Sequence, residues 1–222
     1  GINAQSTSYS DALAWDRTYL SAVVGYQQQW QSFDFDVSIF YRPLRLDNER
    51  YLNYSGVSAT VAYPLSTHSQ AGISFSYAQE GYHQAENRDK EQFVAALWLE
   101  MNQSKLRHKF IVRVAGENAK YANHDYVGRN LWGARYQFSW QINKDLNLNG
   151  NLDYLDGEHR APEPLFLVAR ETELTRFELM LNYQLSVNWS ASITASHMSH
   201  SSNLALYDYE RSKAMASIRY SF

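Results

Sequence analysis

The chain has 222 residues, with 20 Lys and Arg against 23 Asp and Glu, no Cys, 17 Tyr, 6 Trp and 10 Phe. The lack of Cys removes any disulfide framework or thiolate metal site, and the near-neutral balance removes the basic stripe that nucleic-acid binding requires. Mean hydropathy is −0.51 and no run of roughly 18 apolar residues could form a transmembrane helix; a membrane β-barrel stays open, because only alternate residues of its strands meet lipid.

In chain order, residues 1–18 read as a weak first strand (2–10) followed by a loop. Gly1 opens a polar stretch with neither a basic segment nor an apolar one after it, so the expectation is a mature form or a domain cut from a longer protein. Period-2 segments then follow at 19–30, 33–41, 52–65, 70–79, 92–101, 107–117, 130–142, 146–155, 175–185, 189–198 and 212–222. Phe33, Phe35, Val37, Ile39 and Tyr41 alternate with Asp34, Asp36 and Ser38. Trp132, Ala134, Tyr136, Phe138 and Trp140 alternate with Arg135, Gln137 and Ser139. Phe177, Leu179, Leu181 and Tyr183 alternate with Arg176, Glu178 and Asn182. In the last segment Ala214, Ala216, Ile218, Tyr220 and Phe222 oppose Lys213, Met215, Ser217, Arg219 and Ser221. A strand sends alternate side chains to opposite faces, so each segment has one apolar face and one polar face.

The connections sharpen the reading. Short ones (31–32, 66–69, 102–106, 143–145, 186–188) alternate with longer polar ones (42–51, 80–91, 118–129, 156–173, 199–211). Outer-membrane barrels have short periplasmic turns and longer outer loops. Trp30, Tyr63, Tyr77, Tyr154, Tyr183 and Trp189 lie near segment ends, as interfacial aromatics do. The fold class expected is all-β: an antiparallel up-and-down transmembrane β-barrel of about 12 strands. Residues 1–222 would form a single outer-membrane domain, and the C-terminus would be periplasmic. The closing segment also resembles the last strand of bacterial outer-membrane barrels. That resemblance implies that Ile218, Tyr220 and Phe222 form an insertion signal, and that the partners are outer-membrane lipids, lipopolysaccharide and the barrel-assembly machinery.

The polar faces carry both signs of charge. Asp34, Asp36, Glu100, Glu117, Asp153 and Glu178 share a lumen with Arg113, Arg135, Arg176, Lys213 and Arg219. Charges out of water need partners, so networks crossing the interior are expected. Arg135, Asp153, Arg176 and Glu178 are the candidate lumen or substrate contacts, and Gln27 and Gln29 add an uncharged lining. One stretch offers chemistry: His197 and Ser199, two apart on one face, with Asn203 nearby, are the residue types of a base and a nucleophile. Parity from Trp189 turns both toward lipid, and the nearest acids, Asp208 and Glu210, lie across the loop, so catalysis is not favoured. His68, His83, His108, His124 and His159 are scattered without metal spacing and are expected to be solvated. No metal and no cofactor are expected.

The run Ser202-Asn203-Leu204-Ala205-Leu206-Tyr207-Asp208-Tyr209-Glu210-Arg211, followed by a strand ending in Tyr220-Ser221-Phe222, is similar to the final loop and strand of barrels attached to periplasmic tetratricopeptide-repeat domains. Surface lipoprotein assembly modifiers and exopolysaccharide export barrels are of that kind. The resemblance implies export or assembly of a surface lipoprotein or polysaccharide across the outer membrane, with a periplasmic domain or partner. This chain is shorter than many such barrels. A passive porin-like channel and an outer-membrane lipid hydrolase or deacylase are the alternatives.

Overall fold

The computed structural model describes residues 2–7, 17–30, 32–46 and 49–220. Twelve strands run in chain order: β1 Ile2–Thr7, β2 Arg17–Trp30, β3 Phe33–Leu46, β4 Glu49–Ser66, β5 Ser69–Tyr82, β6 Lys90–Gln103, β7 Leu106–Ala119, β8 Arg129–Gln141, β9 Leu146–Pro162, β10 Ala169–Gln184, β11 Trp189–Ser202 and β12 Tyr209–Tyr220. They form one sheet in sequence order, each antiparallel to the next. The expected up-and-down architecture is therefore the observed one. Pairing among the described residues runs from β1 to β12, with no pairing between β12 and β1, so β12 is exposed along its whole length. No helix of the described residues is long and apolar enough to cross a membrane.

Most strands are longer at one end than the alternation of residue types indicates. The polar stretch 42–51 is nearly all strand, since β3 runs to Leu46 and β4 begins at Glu49. Likewise β9 continues to Pro162 and β10 begins at Ala169, inside the expected loop 156–173. Beyond the hydrocarbon both faces of a strand are wet, so pairing continues while the apolar alternation stops. The short turns fall within or beside the expected positions. The end carrying them is called the turn end below, and the opposite one the loop end. Residues 8–10 of the expected first strand, residues 11–16 of the expected first loop, and Phe222 of the insertion signal lie outside the described residues.

Burial is inverted relative to a soluble protein. Among described residues the buried apolar side chains are only Ala62, Ala78 and Leu131, whereas Asp89, Glu117, Asp153, His159 and Thr172 are buried. Val24 is 69% exposed, Leu97 61%, Ile193 59% and Ile218 69%. In water such a surface would aggregate; facing lipid it is the stable arrangement. Aromatic side chains mark both edges of this outward apolar face. At the turn end Phe33 packs on Tyr63 at 5.2 Å and Trp189 on Tyr220 at 4.8 Å. Toward the loop end Tyr77 meets Phe93 at 4.8 Å and Trp132 meets Tyr154 at 5.4 Å. From Phe33 to Tyr41 on β3, at about 3.4 Å per residue and a tilt near 40°, the band is roughly 21 Å tall, close to the height of a barrel's apolar belt.

Two glycines let rings lie flat on the sheet. Gly150 is the register partner of Phe138 on the outward face, and a Cβ there would fall 2.0 Å from the Phe138 ring. Gly56 is the partner of Phe40 on the inward face, where a Cβ would meet both that ring and the backbone of β5 at Tyr77.

Candidate functional site in the barrel lumen

Inward positions follow from parity. On β7 the exposed Phe110, Val112 and Val114 face outward, which turns Lys109, Arg113 and Glu117 inward. The same argument turns Arg129 and Arg135 of β8, Asp153 and His159 of β9, and Arg170, Arg176 and Glu178 of β10 into the lumen.

Midway along this wall Asp153, 3% exposed, accepts hydrogen bonds from Arg113 Nη2 at 2.9 Å and from Arg135 Nη2 at 2.8 Å. Arg135 is its direct partner on β8. Arg113 lies one strand further away, and its own partner on β8 is Gly133. With no side chain at Gly133, the guanidinium can pass over β8 to reach the carboxylate. Arg176 stands opposite Asp153 in the β9–β10 register, but its Nη2 contacts Met198 Sδ at 3.4 Å. Glu178 lies nearer the turn end, in a cavity of about 390 Å³ lined also by Glu100, Arg107, Lys109 and Asn151. The four predicted lumen residues thus share one wall: Arg135 and Asp153 are bonded, Arg176 is adjacent, and Glu178 belongs to the next cavity.

Among the described residues the expected ion-pair networks across the interior do not form. Ion pairs run along the β6–β9 wall, as in Arg113–Asp153 and Lys109–Glu100 at 3.7 Å. Asp34, Asp36, Lys213 and Arg219 have no ion pair among the described residues. Neighbouring strands are about 4.8 Å apart, so one side chain readily reaches its counterpart on the next strand. The remaining lumen carries hydroxyl pairs instead: Ser38–Ser58 at 2.7 Å, Thr60–Ser74 at 3.1 Å and Ser192–Ser217 at 2.7 Å.

At the loop end lies a second polar cluster that the sequence reading did not assemble. Glu117 accepts from Lys90 Nζ at 2.8 Å, from Gln92 Nε2 at 3.0 Å, and from Arg129 through Nε at 2.9 Å and Nη2 at 3.1 Å. His159 is 4% exposed, not solvated as expected. Arg170 Nε and Nη2 donate to its Nε2 at 3.1 and 2.9 Å, which assigns the ring proton to Nδ1, 2.7 Å from the Tyr126 carbonyl oxygen. The Arg170 guanidinium also sits 4.0 Å from the centre of the Tyr207 ring. Lys90, Arg129 and His159 lie past the apolar alternation, where the sequence reads as loop; only the inward parity of Glu117 pointed here. His108 is likewise partnered, 2.7 Å from the Tyr136 hydroxyl.

The Ser202-Asn203 pair acts as a latch. Asn203 Oδ1 accepts from the Glu171 backbone N–H at 2.9 Å, and Asn203 Nδ2 donates to the Ala169 carbonyl at 2.9 Å. Together with Ser202 Oγ, which donates to the Glu171 carbonyl at 2.8 Å, these bonds tie the last loop to the irregular pairing at the start of β10. His197 and Ser199 are not brought together. His197 Nδ1 lies 3.0 Å from Ser212 Oγ on β12, Ser199 stands opposite Glu210, and no carboxylate hydrogen-bonds His197 among the described residues. Ile218 and Tyr220 point outward on β12, 69% and 50% exposed.

A family model described as "Surface lipoprotein assembly modifier" matches residues 1–222. No curated protein matches the chain. Among solved structures it is similar to the KdgM porin, at 12% identity and a TM-score of 0.52 over 100% of this chain and 96% of that one. The figures are the same for the KdgM porin in complex with disordered oligogalacturonate. At that identity the likeness concerns the fold: a porin-type outer-membrane barrel.

Proposed function

Because the chain belongs to the surface lipoprotein assembly modifier family along its whole length, we propose that this outer-membrane barrel serves delivery of a lipoprotein across that membrane to the cell surface. The family match carries this reading. The inverted burial supports it too, with an apolar outside and a wall of paired charge within. In this reading the turn end and the C-terminus face the periplasm, and the loop end opens to the outside. Outer-membrane lipids and lipopolysaccharide surround the barrel, the barrel-assembly machinery inserts it, and a periplasmic domain or partner presents the cargo. Arg135, Asp153, Arg176 and Glu178 are the lumen groups that cargo would meet.

The test is display of a co-expressed surface lipoprotein, measured by protease shaving of intact cells. Shaving that depends on the barrel supports the reading; lipoprotein equally shaved without it refutes it. A second reading, a polar channel without dedicated cargo, is favoured by the porin-type fold. It predicts steady conductance in planar bilayers with no effect on lipoprotein display. Export of a polysaccharide has no comparable observation behind it.

A further inference from the structure

The loop-end mouth contains a cup of about 470 Å³ whose lining includes Arg88, Lys90, Arg129 and Arg170 against Glu117 and Glu163. Its charges are unequally satisfied. Lys90 and Arg129 share Glu117, whose side chain is 2% exposed. Arg88 forms no ion pair among the described residues, and Arg170 is held without any carboxylate. The supports of Arg170 are neutral: the His159 lone pair takes its Nε and Nη2 protons, the Tyr207 ring covers its face, and Nη1 makes no hydrogen bond among the described residues. A guanidinium pinned in one orientation with unspent donors is a preorganised receptor for a carboxylate or phosphate group. Tyr82, Tyr126 and Asn87 line the same cup, offering ring surface and an amide to a hydroxylated body.

We propose that this cup is an anion-binding site for an acidic saccharide, with Arg170 and Arg88 gripping the acid group and the tyrosine rings contacting the sugar. The inference goes beyond lipoprotein delivery and does not rest on it: its test is a binding measurement with no lipoprotein present, so the two readings fail separately. The acid group could sit on a free uronate-type sugar or be a phosphate of the lipopolysaccharide layer.

The experiment is calorimetric titration of the whole detergent-solubilised chain with a β-1,4-linked glucuronate trisaccharide, with neutral cellotriose and with inorganic phosphate. The expected result is salt-sensitive binding of the glucuronate trisaccharide and none of cellotriose. Arg170→Gln and Arg88→Gln should each weaken it about tenfold or more, while Lys144→Gln, on the exposed short turn between β8 and β9, leaves it unchanged. Arg88 lies in the exposed turn Glu86–Arg88, outside the sheet, so its variant keeps the test decisive should Arg170→Gln fail to fold. Displacement by phosphate would assign the site to the anionic group whatever its carrier; binding without displacement would assign it to the carboxylated sugar. Equal affinity for cellotriose, no binding by the folded chain, or undiminished binding by the Arg88 variant would overturn the proposal.

Discussion

Asp153 is almost wholly buried, yet it holds the guanidinium groups of two arginines whose side chains are partly exposed, Arg113 at 24% and Arg135 at 31%. Removing the acid charge leaves two like charges side by side on one wall, whereas removing one arginine leaves an ion pair intact. Asp153→Asn is therefore expected to destabilise the folded barrel by about 2–3 kcal/mol, and Arg113→Gln by less. Urea midpoints in lipid vesicles measure this; an Asp153→Asn barrel as stable as its parent would show that lumen water already screens the cluster. Asp153 and Arg135 are inward-facing by parity alone, so both were legible as lumen residues. Their bond was not, because it depends on which residue of β8 stands beside which of β9, and no alternation of residue types sets that register.

At the level of the strand, close approach decides the cost of small changes. A Cβ on Gly150 would strike the edge of the Phe138 ring, which can swing toward lipid. A Cβ on Gly56 would lie 2.2 Å from the Tyr77 carbonyl oxygen, where only the backbone can yield. Gly56→Ala is accordingly expected to lower the unfolding midpoint clearly more than Gly150→Ala, by on the order of 1–3 kcal/mol against 1 kcal/mol or less. A second expectation concerns β12. An unpaired strand edge within hydrocarbon leaves backbone groups unsatisfied at several kcal/mol each, so in the membrane the outer edge of β12 must find a partner, and β1 is the other free edge of the sheet. Hydrogen exchange in vesicles should then protect β12 amides as well as those of β11; fast exchange at alternate β12 positions would mean an open seam. Strand positions within the apolar band were readable from alternation, but the loop-end boundaries were not, since strands wetted on both faces carry no such pattern.

For the molecule as a whole, charge is sorted by face. The chain has a net charge of −3, yet on the inward face of β6–β10 the cations Lys90, Arg107, Lys109, Arg113, Arg129, Arg135, Arg170 and Arg176 outnumber the anions Glu100, Glu117, Asp153 and Glu178. A conducting barrel is therefore expected to prefer anions, and a reversal potential under a KCl gradient measures this. Arg176→Glu should shift that potential toward cations, and a cation-selective parent would contradict the charge sorting. Period-2 patterning, aromatics at segment ends and the rhythm of connections were enough to specify an antiparallel outer-membrane barrel of about twelve strands, because each is a local consequence of a strand with lipid on one side. The partners of each charge depend on register and on side-chain reach between neighbouring strands. Folding alone could therefore place the ion pairs along one wall rather than across the lumen, bury His159 beneath Arg170, and gather the basic cup at the loop-end mouth.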